Sequence, residues 1–313
     1  MTSSHSEAID YYGESGLGSS GFDTWECSGF TPDPFPYHIS YCGDVDVAGG
    51  RKPQSHYRSV LWNNSKLEMV VSPPQGRPGN PHAFDEAVAV WGYEDTRVSW
   101  TWPGADGQPL TVRVYTQYPA AMIFLNGVKV AGPNPVGKAQ MFTWNQAVTY
   151  APGELLAVPC MPDGTLLHGV ANVSLRTAGP PAKLSLSADY VKLPADRRHL
   201  AYVTVTVVDA HGTPVPTASG QPGEYQYGLP AVDIAVTTVA TPAGAGHLYA
   251  VGTGDPVDAN PTVGAGSRRA YRGVVVAVVQ PGGPPGTEPA PGVVVVTASA
   301  AGMPDATIDI HIE

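Results

Sequence analysis

The sequence has few charged residues, which make up 14% of its 313 positions against about a quarter in ordinary globular domains. Hydrophobic residues reach 42%, so this scarcity does not indicate disorder, which requires low hydrophobicity together with high net charge. The 17 basic residues are outnumbered by 27 acidic ones, for a formal net charge of −10. Because no basic run could follow a phosphate backbone, we expect no nucleic-acid partner.

Long apolar runs are also missing, since the longest, such as 273–280, fall far short of the roughly 20 residues of a membrane helix. We therefore expect no membrane partner. The first ten residues contain neither the basic nor the apolar region of a secretion signal, and the sequence leaves the localisation unknown. No nucleotide-binding or metal-ligand motif occurs in a usable context, so we predict no cofactor and no metal.

Cysteine is scarce as well, with three residues, Cys27, Cys42 and Cys160. An odd count without a metal-binding spacing supports neither a disulfide framework nor a zinc site. A single bridge between Cys27 and Cys42 is one interpretation, and burial of all three as small hydrophobic residues is the other.

Glycine and proline, in contrast, are abundant: 36 Gly and 32 Pro exceed a fifth of the chain, which excludes a mostly helical protein and favours turn-rich β structure. A chain of this length should form two or three units, because single cores stop growing near 250–300 residues. One helix is predicted after Pro53, where Tyr57, Val60 and Leu61 share one face before Asn63 ends the pattern.

Two runs of strand signals follow, separated by the Pro-rich link 178–181. Asn126-Gly127 indicates a tight hairpin in the first run. The first set of predicted strands is 98–102, 110–115, 121–125, 140–144, 154–160 and 167–175. The second set is 183–188, 200–209, 232–239, 247–251, 271–280, 292–299 and 306–312. Their number and spacing are typical of two immunoglobulin-like sandwiches, with the continuously apolar 274–279 in a central strand.

The residues alone identify no single catalytic or sugar-binding site. Glycoside hydrolysis needs two nearby carboxylates, and Asp44 with Asp46 could form such a pair, although caps of turns near glycines are the more ordinary interpretation. Trp100 and Trp102 could stack on sugars, yet a buried sandwich tryptophan is commoner. Trp91 and Tyr93 are further candidates for glycan stacking.

Several segments resemble glycoside hydrolase family 2, the β-galactosidase family. Asp10-Tyr-Tyr-Gly-Glu14, Gly43-Asp-Val-Asp46 and the segment 50–62 are similar to the final strand, loop and helix of its (β/α)₈ barrel. The segments 91–104, 123–127 and 150–158 resemble the following β-sandwich, and 200–205, 207–212, 250–256 and 270–273 resemble a C-terminal immunoglobulin-like domain. The resemblance covers nearly the whole chain in the family's order.

The resemblance implies a mainly β fold in which two immunoglobulin-like sandwiches follow a short α/β remnant of a TIM barrel. The implied domains are 1–70 for the remnant, 71–179 for the first sandwich and 180–313 for the C-terminal one. Family members carry a Trp where this chain has Ser6. From this we expect that the last barrel strand is broken and that Met1 is a false start, a truncation or a fragment boundary.

The implied function is that of the C-terminal portion of a β-galactosidase-like retaining glycosidase. Its two catalytic glutamates are expected upstream of residue 1, so the chain alone should be inactive. Asp10, Glu14 and Trp25 are then candidates for the rim of the substrate site. The implied partners are a β-galactoside or related glycan in the complete enzyme and, as alternatives, the missing barrel portion or a second copy. The competing hypothesis is a non-catalytic carbohydrate- or protein-binding tandem sandwich.

Overall fold

A computed structural model describes residues 44–74, 96–138, 142–218, 228–255, 258, 260–283 and 287–313. The chain divides into two compact units, the first comprising residues 1–177 with 221–228 and the second comprising the remainder. The division between Thr177 and Ala178 falls at the start of the Pro-rich link. Among the described residues, no helix has the length and apolar character to cross a membrane.

The helix predicted after Pro53 is confirmed as α1 (Pro53–Leu61). Lys52 is extended and Pro53 occupies the first turn, where a missing N–H costs nothing. The helix ends before Asn63, whose φ of 64° lies in the left-handed region that Asn tolerates. Val60 packs with Val70, Tyr115 and the partly buried Tyr57, whereas Leu61, the third residue of the predicted apolar face, is 41% exposed.

Within its described residues, the first unit holds seven strands, arranged as the sheets β1-β2-β5 and β4-β3-β6-β7 with antiparallel neighbours. The strands are β1 (Leu67–Val71), β2 (Pro109–Thr116), β3 (Ala120–Leu125), β4 (Val128–Pro135), β5 (Thr143–Thr149), β6 (Glu154–Cys160) and β7 (Val173–Arg176). Asn126 and Gly127, at φ 51° and 80°, form the predicted turn between β3 and β4. Strand β1, which no sequence signal indicated, extends across the predicted boundary between residues 70 and 71 and pairs with β2.

The predicted strand at 98–102 is wrong, because this segment is irregular. Two of its backbone groups bond to side chains of distant residues: the N–H of Trp102 donates to Tyr150 Oη at 3.2 Å, and the carbonyl of Trp100 accepts from Thr177 Oγ1 at 2.6 Å. The predicted strand 167–175 is also too long. A turn whose Gly169 has φ 73° occupies its first half, and β7 begins only at residue 173.

The second unit is a sandwich of the four-stranded sheet β12-β14-β10-β8 and the five-stranded sheet β13-β11-β15-β16-β9. Its strands are β8 (Lys183–Ala188), β9 (Lys192–Leu193), β10 (Ala201–Val208), β11 (Asp233–Thr241), β12 (Gly246–Gly252), β13 (Ser267–Arg269), β14 (Val274–Pro281), β15 (Gly292–Ala300) and β16 (Ala306–Ile312). All seven predicted strands are present, and β14 lies inside its sheet as predicted. The two additional strands, β9 and β13, are too short for a two-residue period to be visible.

The core between the two sheets of the second unit consists of Val, Ala, Ile and Leu. Strand β10 shows how the sequence produces it: Ala201, Val203, Val205 and Val207 are fully buried, while the alternate residue Tyr202 is 46% exposed. Because side chains alternate between the faces of a strand, this half-buried pattern determines which face of the sheet lies against the core.

Asp209 stabilises the turn after β10. Its Oδ1 accepts the N–H groups of His211 and Thr213 at 2.9 and 2.8 Å, and its Oδ2 accepts the N–H of Gly179 at 2.9 Å. These backbone hydrogen bonds, with that from Gly179 the strongest contributor, lower the pKa of Asp209, because hydrogen bonds to a carboxylate favour its charged form. One carboxylate therefore links the start of the unit to its first tight turn.

Candidate functional site

The candidate site residues Asp10, Glu14, Trp25, Trp91 and Tyr93 all lie outside the described residues, so their roles stay predictions. Cys27 and Cys42 lie outside the described residues too. Cys160 is free and buried, in agreement with the interpretation of a small hydrophobic residue. Burial, with a smaller contribution from the charge of Asp163, raises the pKa of its thiol.

The first described segment that follows Asp10, Glu14 and Trp25 in the sequence is 44–74. It carries helix α1 and holds three carboxylates, those of Asp44, Asp46 and Glu68. Asp46 caps a turn, since its Oδ1 accepts the N–H groups of Ala48 and Gly50 at 2.8 Å each. Asp44 instead forms an ion pair with Arg58 on α1 at 2.5 Å. The two aspartates therefore act in a turn and a helix contact, and the turn-capping interpretation is right for Asp46.

Glu68 on β1 is the centre of a second polar network. Its Oε2 lies 3.1 Å from Nδ1 of the buried His56, and its Oε1 accepts from Nη1 of Arg51 at 3.2 Å. Arg51 also donates from Nε to Ser55 Oγ and from Nη2 to the Ser55 carbonyl, both at 3.1 Å. One carboxylate thus joins strand β1 to the first turn of α1 and to the segment that precedes it.

The electrostatics of this network favour an ionised Glu68. Partial burial by itself raises the pKa of the Glu68 carboxyl, but the hydrogen bond with His56 and the charge of Arg51 outweigh it and hold the pKa below its usual value. A general acid needs the opposite shift, towards neutral pH. Glu68 is therefore suited to an ion-pair network and unsuited to donating a proton.

The chemistry of segment 44–74 is accordingly structural. Each of its three carboxylates is engaged by a neighbouring cation or by backbone N–H groups, so each has a structural contact that accounts for its position. Within the described ranges, no group of three or more His, Cys, Asp and Glu side chains could hold a metal ion. Sequence reasoning missed this network because Glu68 lies on the strand that it failed to detect.

Trp100 and Trp102 are both almost fully buried. The indole Nε1 of Trp100 donates to the Ala151 carbonyl at 3.0 Å, and its ring meets Tyr150 edge to face with centroids 5.0 Å apart. The core interpretation is confirmed for both tryptophans, and neither offers a face to a sugar.

Comparisons with known proteins define the class of the chain. A family model described as a domain of unknown function, DUF4982, matches residues 107–166. The β-galactosidase BoGH2A of Bacteroides ovatus is 24% identical over 283 residues, which are 90% of this chain and 27% of that protein. A glycosyl hydrolase family 2 member from Bacteroides cellulosilyticus is 30% identical with a TM-score of 0.73, covering 91% of this chain and 33% of the relative.

A β-glycosidase from Bacteroides vulgatus shares the fold at 20% identity, with a TM-score of 0.66. The described architecture is therefore that of a mainly β protein built from sandwiches. Over about nine-tenths of its length it is related to glycoside hydrolase family 2, and its fold fits the C-terminal portion of such enzymes. The resemblance predicted from the sequence motifs is confirmed, and the chain spans 27% and 33% of the length of these two relatives.

Proposed function

We propose that this chain is the C-terminal portion of a β-galactosidase-like retaining glycosidase and lacks both catalytic glutamates. The observation that carries the proposal is the one-sided coverage: about 90% of this chain matches family 2 enzymes, while it accounts for about 30% of their length. A retaining mechanism needs an acid/base and a nucleophile about 5–5.5 Å apart. In segment 44–74, the lowered pKa of the Glu68 carboxyl is unsuited to the acid role.

In this proposal, the part of the chain before β1 belongs to the end of a catalytic barrel. A barrel closes only when all of its strands pair, and substrate sites of such barrels lie on the loops at their C-terminal face. Residues 1–70 cannot form that face alone. Asp10, Glu14 and Trp25 would lie at the rim of the substrate site in the complete enzyme, and the sandwiches 71–179 and 180–313 would support the barrel.

The test is hydrolysis of nitrophenyl β-galactoside, β-glucuronide and β-mannoside by the purified 313-residue chain. We expect no turnover above the uncatalysed rate by this chain or by its Asp10→Ala, Glu14→Ala double variant, with BoGH2A as the positive control. Turnover that the double variant abolishes would overturn the proposal by placing the chemistry on those two residues. Equal turnover by both proteins would contradict it as well, because a catalytic pair would then exist elsewhere in the chain.

A further inference from the structure

The turn between β3 and β4 carries the one Asn-Gly sequence of the chain, Asn126-Gly127. Asparagine followed by glycine is especially prone to spontaneous deamidation, because a glycine without a Cβ leaves its main-chain nitrogen unhindered. We propose that Asn126 is a modification site of this kind, which the folded first unit keeps unreactive and which opening of the β3–β4 hairpin releases for reaction. The site is independent of the proposed glycosidase function.

The reaction needs only this segment of the chain and water. The main-chain nitrogen of Gly127 attacks Cγ of Asn126, so that a C–N bond forms, the bond from Cγ to Nδ2 breaks, and Nδ2 leaves as ammonia with the proton that Gly127 loses. Water then adds to one of the two ring carbonyls of this succinimide and opens it to aspartate or isoaspartate. Both residues are exposed, so water reaches them in the folded chain.

Hydrogen bonds hold the side chain of Asn126 on the segment that leads into β6. Its Nδ2 donates to the carbonyl of Pro152 at 3.0 Å, and its Oδ1 accepts the N–H of Glu154 at 2.9 Å. The main-chain N–H of Asn126 also donates to the Glu154 carbonyl at 2.9 Å. Because Cγ must turn onto the Gly127 nitrogen to react, the reaction requires both side-chain bonds to break. Its rate should therefore follow the fraction of chains in which the hairpin is open.

Gly153 allows the amide of Asn126 to lie this close to the neighbouring main chain. A Cβ at Gly153 would stand 1.8 Å from Oδ1 and 2.6 Å from Cγ of Asn126, so a larger residue would displace the side chain. Gly153 is itself held by Thr177, whose Oγ1 accepts its N–H at 3.0 Å and whose N–H donates to its carbonyl at 2.8 Å. The groups that bind Asn126 are therefore fixed in place.

Deamidation would make an opening of the hairpin irreversible. Aspartate has no Nδ2 donor for the Pro152 carbonyl, and it places a new negative charge next to Glu154, whose carboxylate pairs with Arg176 at 3.0 Å. Isoaspartate also adds a methylene to the main chain of a turn whose two residues have φ of 51° and 80°. Either product therefore replaces a satisfied contact with an unsatisfied one and should destabilise the first unit.

The test follows deamidation of the full chain by peptide mapping with mass spectrometry, in mildly alkaline buffer with and without urea. Tryptophan fluorescence identifies the urea concentration that unfolds the first unit. We expect Asn126 to react about tenfold or more slowly in the folded chain than in the unfolded one. Asn172, which is exposed and followed by the bulkier Val173, is the internal control and should react slowly under both conditions.

Gly153→Ala should accelerate the reaction without urea, because its Cβ displaces the Asn126 side chain. Gly107→Ala is the matched control, since Gly107 also lies at positive φ in the first unit but an added Cβ there meets nothing within 4 Å. Equal rates at Asn126 in the folded and unfolded parent chain would overturn the proposal, as would the absence of reaction in urea. An unchanged rate in a folded Gly153→Ala variant would overturn it too; if that variant does not fold, the urea comparison decides.

The consequence of the modification is tested with Asn126→Asp, which reproduces the aspartate product. This variant should lower the urea midpoint of the first unit, measured by tryptophan fluorescence. Asn172→Asp adds the same charge at an exposed position and should leave the midpoint unchanged. An equal midpoint for Asn126→Asp and the parent chain would show that the modification does not destabilise the hairpin and would overturn that part of the proposal. None of these outcomes depends on the hydrolysis assay.

Discussion

The two units differ in the side chains that they bury. The core of the second unit is a cluster of Val, Ala, Ile and Leu between two sheets, so its stability depends on area buried by regular strands. The first unit buries Trp100 and Trp102 in an irregular segment, where Ala151 accepts from the indole of Trp100, Thr177 donates to its carbonyl, and Tyr150 accepts from the backbone N–H of Trp102. Buried tryptophans that also form hydrogen bonds can thus stabilise a segment that belongs to no sheet.

The largest effect is expected at Trp100 in the first unit. Trp100→Ala should lower the free energy of unfolding by about 3–5 kcal/mol, because it removes a fully buried ring and leaves a cavity. All six tryptophans precede residue 145, so urea unfolding followed by tryptophan fluorescence reports on the first unit alone. Trp62→Ala, at a 61% exposed position, is the control; an equal loss there would contradict this account.

A similar loss is expected at Ile234, which is fully buried in the aliphatic core of the second unit. Ile234→Ala should cost about 2–5 kcal/mol through lost burial and a residual cavity. Calorimetry should show a lower transition for the second unit, with the fluorescence midpoint of the first unchanged. Val239→Ala lies on the same strand, at an exposed position, and should be nearly neutral; a shifted fluorescence midpoint would show that the units do not unfold separately.

A smaller effect is expected from Asp209, the polar support of the second unit. Asp209→Ala should cost about 1–3 kcal/mol, because three backbone N–H groups lose their acceptor. Asp233→Ala removes an exposed carboxylate paired with Arg269 and should have almost no effect. Calorimetry of the two variants at neutral pH makes the comparison, and equal losses would argue against a special role for Asp209.

The same carboxylate should make the second unit sensitive to acid. Its pKa is lowered in the folded state, so its stabilising contribution is fully present above the usual Asp pKa of about 3.9 and is lost as the pH falls through the lower folded-state value. Asp209→Asn should flatten that part of the stability profile. An unchanged acid profile in a folded Asp209→Asn variant would show that other carboxyl groups dominate.

The smallest effect is expected in the Glu68 network of the first unit. Glu68→Gln removes the charge that faces His56 and Arg51 and should cost about 1 kcal/mol, at the upper end for partly exposed pairs. Glu154→Gln, which alters the more exposed pair with Arg176, is the matched control and should be nearly silent. Fluorescence-detected urea unfolding measures both; a larger loss for Glu154→Gln would reverse our ranking of the two networks.

The units also differ in how much of them could be predicted from the sequence. The strict alternation of β10 and the apolar run of β14 reveal both strand and burial, because a regular sheet imposes its period on the sequence. Residues 98–102 show equally strong β propensity but form no strand, and side chains of distant residues bond to the N–H of Trp102 and the carbonyl of Trp100. Propensity records what fits a pleated surface and cannot register such tertiary contacts.

In the candidate site, too, tertiary contacts could not be predicted from the sequence. Helix α1 was predictable from its apolar face and from Pro53 at its start. The pairing of His56 with Glu68 depends on β1 lying beside α1, and nothing in the spacing of these residues signals it.

The central claim, that the catalytic nucleophile of the proposed glycosidase is absent from this chain, is tested most directly by covalent trapping. A retaining enzyme forms a glycosyl-enzyme ester with its nucleophile, and a 2-deoxy-2-fluoro glycosyl fluoride makes that ester long-lived. We would incubate the 313-residue chain with the galactosyl, glucuronyl and mannosyl reagents and record its intact mass, with BoGH2A as the labelled control. The account predicts an unchanged mass for this chain. A stoichiometric glycosyl adduct on one of its carboxylates would contradict it.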